Sequence, residues 1–259
     1  MSTSSRSFQV LARTDIGLVR DGNEDSALAS SRLVAVADGM GGHAGGEVAS
    51  RIAINALKSV SEILNDGTID TESREDLLMN ISFAIDEKIA SEVNVKPELA
   101  GMGTTLTALH LGEKSVELLH VGDSRCYQWK NNKLIQMSVD HTVMQELLDQ
   151  GRLSADEVHS HPQRSLLTQV LMGDSGIHPM LMVREVKKGD RFLLCSDGLS
   201  SVLSELEINQ IAKKSDDLIN DLLSAVREKG APDNVTIILS EVVEISEASQ
   251  LVKLGAAHV

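Results

Sequence analysis

The chain has 259 residues, 42% of them hydrophobic, and a formal net charge of −14, which suits one large domain or two small ones with room for a real core. Three Phe, one Trp and one Tyr are its only aromatic residues, so the core must be aliphatic; the acidity and the lack of a Lys/Arg cluster set nucleic acid aside as a partner. No apolar run approaches membrane-spanning length and residues 1–7 are polar and Ser-rich, so no membrane partner is expected and the cytoplasm is the expected compartment.

In chain order, residues 8–17 alternate loosely and close on Thr14-Asp15-Ile16-Gly17, a strand running into a turn. Arg20-Asp21-Gly22-Asn23-Glu24-Asp25 is a dense polar cluster ahead of Ala27-Leu28-Ala29. The apolar run 33–37 then ends in Asp38-Gly39-Met40-Gly41-Gly42-His43, a buried strand delivering a carboxylate to a glycine turn. A charge in that place costs free energy unless a cation or dense hydrogen bonding compensates it, and glycines let backbone carbonyls approach an ion. A turn aspartate with no ligand role is the plainer alternative. Val48, Ile52, Ala56, Val60 and Ile63 recur at helical spacing and predict a helix over 48–64; Leu77, Leu78, Ile81, Ala84, Ile85 and Ile89 predict a second over 74–93, with 66–73 as the connection.

From Gly101 the period changes, and 104–111, 115–121, 125–130 and 134–139 read as an antiparallel meander with Gly122-Asp123 at its middle turn. Residues 140–176 read as a polar, helical flap with a capping box at Ser154 to Glu157; its His141, His159 and His161 are expected to be solvated. Strands at 180–186 and 191–196 lead to Ser196-Asp197-Gly198-Leu199, the Asp38 arrangement again. Ser204 and Glu207 form a capping box that starts a helix at about Glu205, and a further helix from Leu218 stops at Gly230. Pro232-Asp233-Asn234 precedes a last strand at 235–239, and after about Ile245 the chain is expected to fray. Cys126 and Cys195 sit in strand-like apolar surroundings and read as reduced, buried thiols.

Asp38, Asp123, Asp197 and Asp233, with Glu24 and Asp25, all fall at strand ends or adjoining turns. Carboxylates and carbonyls without Cys or His partners suit a hard cation, Mg2+ or Mn2+, rather than zinc. Two such ions can activate a water for in-line attack on phosphorus, and Arg20 is placed in sequence to clamp a phosphate with its planar fork. The residues alone reach as far as a phosphoester hydrolase.

Six ordered motifs make the reading specific: Arg20-Asp21-Gly22-Asn23-Glu24-Asp25, Asp38-Gly39-Met40-Gly41-Gly42-His43, Gly103-Thr104-Thr105, Val121-Gly122-Asp123-Ser124-Arg125, Ser196-Asp197-Gly198-Leu199 and Asp233-Asn234-Val235-Thr236. Over residues 8–243 the chain resembles the metal-dependent type 2C (PPM family) protein serine/threonine phosphatases in their bacterial form. The resemblance implies an α+β fold, a four-layer α-β-β-α sandwich of two antiparallel sheets flanked by helices, with a helical flap insertion at about 140–176. The catalytic domain would span 1–244 and a tail 245–259. The implied cofactors are two Mn2+ or Mg2+ ions, with a third position. Asp38 would bridge the two, the Gly39 carbonyl would bind the second, and Asp197 and Asp233 would complete the first. Asp123, with Asp197, would supply the third position; Glu24 and Asp25 would act mainly through ordered waters and hydrogen bonds, and Arg20 would hold the substrate phosphate.

The implied reaction is hydrolysis of phosphoserine and phosphothreonine by in-line attack of a metal-bridged hydroxide with no phosphoenzyme, on proteins phosphorylated by a serine/threonine kinase. No Cys lies in a phosphate-cradling loop, which disfavours a thiol mechanism. Two departures stand out. Met40 occupies the place where animal relatives carry a His after Asp-Gly, which leaves His43 as the candidate general acid, against a structural role in the glycine turn. Ser165 stands where bacterial relatives often carry Asn. Two other functions fit the same residues. One is a catalytically silent phosphoprotein-binding regulator, against which every metal-ligand position is filled; the other is a small-molecule phosphoesterase differing only in flap and cleft. Without heptads or a long apolar stripe, a monomer is expected.

Overall fold

The structure is a computed structural model that describes residues 6–42, 45–154, 166–174, 176–244 and 252–258. Its inner strands are apolar on both faces because each sheet is covered on both faces. In β3 (Leu33–Ala37), Leu33, Ala35 and Ala37 face a helix layer, while Val34 and Val36 face the other sheet. β12 (Val235–Glu244) divides in the same way: Ile238 and Val242 point between the sheets, and Val235, Ile237 and Leu239 point to the helices on the far side. Three stacked aliphatic cores follow, and with them the four layers that the resemblance implied.

One sheet has five strands in the order β1 (Arg6–Asp15), β12, β11 (Arg191–Cys195), β8 (Arg125–Lys130) and β9 (Lys133–Gln136). The other has six, in the order β10 (Met180–Glu185), β7 (Ser115–Val121), β6 (Leu106–Leu111), β3, β2 (Ser26–Ala29) and β13 (Val252–Gly255). All their pairings are antiparallel. A short ribbon of β4 (Gly39–Met40) and β5 (Gly103–Thr104) sits at one end. Helices α1 (Gly45–Leu64) and α2 (Thr71–Val95) cover the six-stranded sheet, and α1 lies close because the facing residues are small: Ala35 and Ala37 on the strand, Ala49 and Ala53 on the helix. On the five-stranded sheet lie α4 (Asp197–Ser200), α5 (Glu205–Ala212) and α6 (Leu218–Glu228); α3 (Val143–Asp149) follows β9. No helix among the described residues is long and apolar enough to cross a membrane.

Several expectations hold closely. Helix α5 begins at Glu205 under a reciprocal capping box: the Ser204 amide donates to Glu207 Oε2 at 2.9 Å, and the Glu207 amide donates to Ser204 Oγ at 3.3 Å. Cys126 and Cys195 are buried free thiols in different core layers. Others are corrected. The expected four-strand meander is two hairpins on different sheets, β6–β7 and β8–β9, because the chain crosses the sandwich at residues 122–124. Helix α2 starts earlier than 74, since Asp70 caps it by accepting the Ser73 amide at 2.7 Å. The segment expected to fray after Ile245 contains β13, paired with β2 from Val252↔Ala29 to Gly255↔Ser26. Within the flap the described helix is α3 alone; the capping box to Glu157, His159, His161 and Ser165 fall outside the described residues, as does His43. His141 is not a solvated loop residue: its Nδ1 accepts the Gly122 amide at 3.1 Å, and its ring lies 5.0 Å from that of His120.

Candidate metal centre

The open end of the sandwich collects one carboxylate from each of five chain segments. Asp25 precedes β2, Asp38 follows β3, Asp123 sits where the chain crosses between sheets, Asp197 opens α4 after β11, and Asp233 precedes β12. All the sequence-predicted acids therefore meet, with Glu24 beside Asp25. Asp38, Asp123, Asp197 and Asp233 are half-buried and Asp25 fully buried.

Backbone and hydroxyl groups fix these positions. The Asp38 amide donates to Thr105 Oγ1 at 3.0 Å, while its carbonyl accepts from Thr104 Oγ1 at 3.0 Å and from the Thr105 amide at 2.9 Å. That gives the Gly103-Thr104-Thr105 motif its physical job. Thr105 Oγ1 also meets Ser124 Oγ at 2.7 Å, tying the Asp123 loop to the Asp38 strand end. Gly39 is packed directly under the start of α1: a Cβ there would collide with the Gly46 carbonyl and lie 2.6 Å from the Glu24 carbonyl, so only glycine fits. Ser196 Oγ donates to Asp25 Oδ2 at 2.8 Å, but Asp25 Oδ1 is buried with no hydrogen-bond partner among the described residues. Asn234, Ser196, Thr105 and Ser124 hold the acids in place without belonging to the pattern of strand-end carboxylates. Each is a small polar residue inside or beside an apolar strand, and that placement is the signal that could have found them.

The electrostatics are those of acids crowded together. Burial pushes Asp25 up to about 7, helped by the charges of Asp197 and Asp233; burial and the Asp197 charge push Asp123 up to about 7. Asp38 is held well above the usual carboxylate range by burial and then by the charges of Asp25, Asp197, Asp123 and Asp233. Asp197 is raised by burial and by Asp233, against a hydrogen bond with Asp38 that lowers it. Glu24 is raised by burial, against Arg20. Arg20 donates to Asp233 Oδ2 at 2.7 Å and keeps 51% of its side chain exposed at the cleft.

Among the described residues no three or more His, Cys, Asp or Glu side chains form a ready-made cage for an ion. The self-repelling acids, the orphaned Asp25 Oδ1 and the all-oxygen donor set fit hard divalent cations.

A family model described as protein phosphatase 2C matches residues 23–240. The chain belongs to the protein phosphatase 2C family. The serine/threonine protein phosphatase PstP of Mycobacterium tuberculosis is 44% identical over 242 residues, covering 90% of this chain and 45% of that protein. This chain thus spans under half of that relative. The serine/threonine phosphatase stp of Listeria welshimeri is 33% identical over 241 residues, covering 88% of this chain and 94% of that one. A solved catalytic domain of PstP in complex with two manganese ions is 39% identical with a TM-score of 0.83, covering 92% of this chain and all of that one. Family, fold and sheet arrangement thus agree with the resemblance read from the six motifs.

Proposed function

We propose that the chain is a serine/threonine protein phosphatase using two Mn2+ or Mg2+ ions, with Asp38, the Gly39 carbonyl, Asp197 and Asp233 as their ligands and Asp123 at a third position. The observation that carries this reading is the convergence of five strand-end carboxylates whose charges raise one another, in a chain matched to the protein phosphatase 2C family over 23–240. When bound, such cations supply Lewis acidity and an acidified water for attack on phosphorus.

The chain's own groups do the positioning. Arg20 presents its planar fork to a phosphate from an exposed site, and its pairing with Asp233 holds the guanidinium over the acids while leaving other N–H groups free to turn outward. Asp25 and Glu24 orient waters and neighbouring groups, with Ser196 fixing one Asp25 oxygen. A covalent thiol route is disfavoured because burial pushes Cys195 up to about 12 and raises Cys126 as well. His43 stays the candidate proton donor on sequence grounds. The catalytic domain is taken to start at residue 1 and to run past 244 to include β13, with its flap at about 140–176, working as a cytoplasmic monomer on proteins phosphorylated by a serine/threonine kinase.

The test is phosphate release from a phosphothreonine peptide with Mn2+ and with EDTA, for the parent and for Asp197→Ala. Release that requires Mn2+ and falls by about a hundredfold or more in the variant is expected. A folded, Mn2+-loaded parent that releases nothing would sink the enzyme reading in favour of a silent phosphoprotein-binding regulator.

A further inference from the structure

Strand β13 and the turn after it lie beyond residues 23–240, the part matched to the family. The strand extends the six-stranded sheet along β2, and the chain then bends over the residue in front of β2, which is Asp25. The Ala256 amide donates to the Asp25 carbonyl at 2.8 Å. Gly255 makes the bend at φ +65°, and a side chain there would run into that same carbonyl. Ala257 is fully buried in the core between α1 and the six-stranded sheet, and Lys253 Nζ reaches Asn55 Oδ1 on α1 at 3.2 Å. The segment therefore bridges β2 and α1, the two elements that hold Glu24 and Gly46 against Gly39: Ser50 of α1 donates to the Glu24 carbonyl at 2.6 Å and meets Ser26 Oγ of β2 at 2.9 Å.

Asp25 is wholly buried, so its carbonyl needs a protein donor, and Ala256 supplies one. We propose that the turn Gly255–Ala256, carried by β13 and anchored by Ala257, is a positioning strap for the metal centre, fixing the Asp25 backbone through the Ala256 amide so that the Asp25 carboxyl faces the other acids. Gly255 and Ala256 are positioning residues; they touch neither cation nor substrate. The inference rests on reading the carboxylate cluster as a divalent-cation site. Partners that orient metal ligands from behind commonly set affinity by about tenfold to a hundredfold, and the strap acts on the centre in that way.

Ala256→Pro tests it in the full chain, since proline removes the single N–H while being tolerated in the first turn of a helix. Gly255→Ala is the second variant, should the first not fold. Leu254→Ala, which trims packing between the sheets but keeps the amide, is the comparison. Mn2+ affinity is measured by titration calorimetry without substrate, alongside thermal melts and amide exchange over residues 25–29. The expected result is a Mn2+ dissociation constant raised about tenfold or more in Ala256→Pro and Gly255→Ala, with faster exchange at 25–29. Leu254→Ala should melt lower yet bind Mn2+ like the parent. Parent-like Mn2+ affinity in both strap variants would overturn the proposal, as would equal weakening by Leu254→Ala. A parent that binds Mn2+ tightly but releases no phosphate from a phosphothreonine peptide would defeat the phosphatase reading alone and leave the strap standing.

Discussion

Asn234 commits its side chain to the loop that carries Arg20 and Glu24. Its Oδ1 accepts the Glu24 amide at 2.8 Å, and its Nδ2 donates to the Ile16 and Gly22 carbonyls at 2.9 and 2.8 Å. Because the residue is buried, removing the side chain leaves three backbone groups to find new partners, at about 1–3 kcal/mol for each one left dry. Asn234→Ala is therefore expected to melt lower and to raise KM for a phosphothreonine peptide through a displaced Arg20. Asn234→Asp should be no rescue, since its carboxylate would face two carbonyl oxygens. A parent-like KM in Asn234→Ala would show that the loop holds itself. The six acids were legible in the sequence because each falls at the start or end of an apolar run or at its adjoining turn. Asn234 was not, because its partners at 16, 22 and 24 are more than 200 positions away and are backbone groups, which leave no mark in a side-chain pattern.

Among the elements, legibility followed locality. The start of helix α5 was legible because its capping box lies within a few positions. The meander was misread because adjacent hairpins look alike in sequence whether they share a sheet or cross between two; the crossing at 122–124 is decided by which partner strands cover them. The tail was misread because β13 forms on the edge that β2 offers, not from its own pattern. The flap shows the same dependence at its anchor. Leu171 pairs its backbone with Thr104 at 2.9 and 3.0 Å, and Asp86 of α2 accepts the Met172 and Gly173 amides at 2.9 and 2.7 Å on one oxygen. Asp86→Ala is expected to release this end of the flap, raising KM for a phosphothreonine peptide by several-fold, from the loss of about 1–3 kcal/mol of hydrogen bonding. Turnover of a small aryl phosphate should hold. Equal losses on both substrates would mean that Asp86 supports the centre instead of the flap.

Taken whole, the molecule is arranged to be short of positive charge at one end. Without metal, Asp25 and Asp123, pushed up to about 7, keep protons in the folded state that they lose above about 4 when unfolded, and Asp38 and Asp197 are raised in the same sense. More protons are bound folded than unfolded between about pH 4 and 7, so the acids make stability fall as pH rises through that window. Burial lowers His120 to about 3 and lowers His141, which favours the neutral ring and opposes the trend below about pH 6.5; with Glu24 also raised, five acids against two histidines leave the acids ahead. In EDTA the melting temperature should rise as pH drops from 7 towards 5, and excess Mn2+ should reverse the slope; a metal-free protein that melts lower at pH 5 than at 7 would refute this account. The ten-residue pairing of β1 with β12, from Arg6↔Glu244 to Asp15↔Val235, has a consequence in time. Asp25 and Asp38 leave the ribosome long before Asp197 and Asp233 exist, and β1 waits with an open edge until β12 arrives to cover it. On the proposed ligand set, the nascent chain is blind to the cation through most of its synthesis, and cation capture would be a late event that only a finished sandwich could perform.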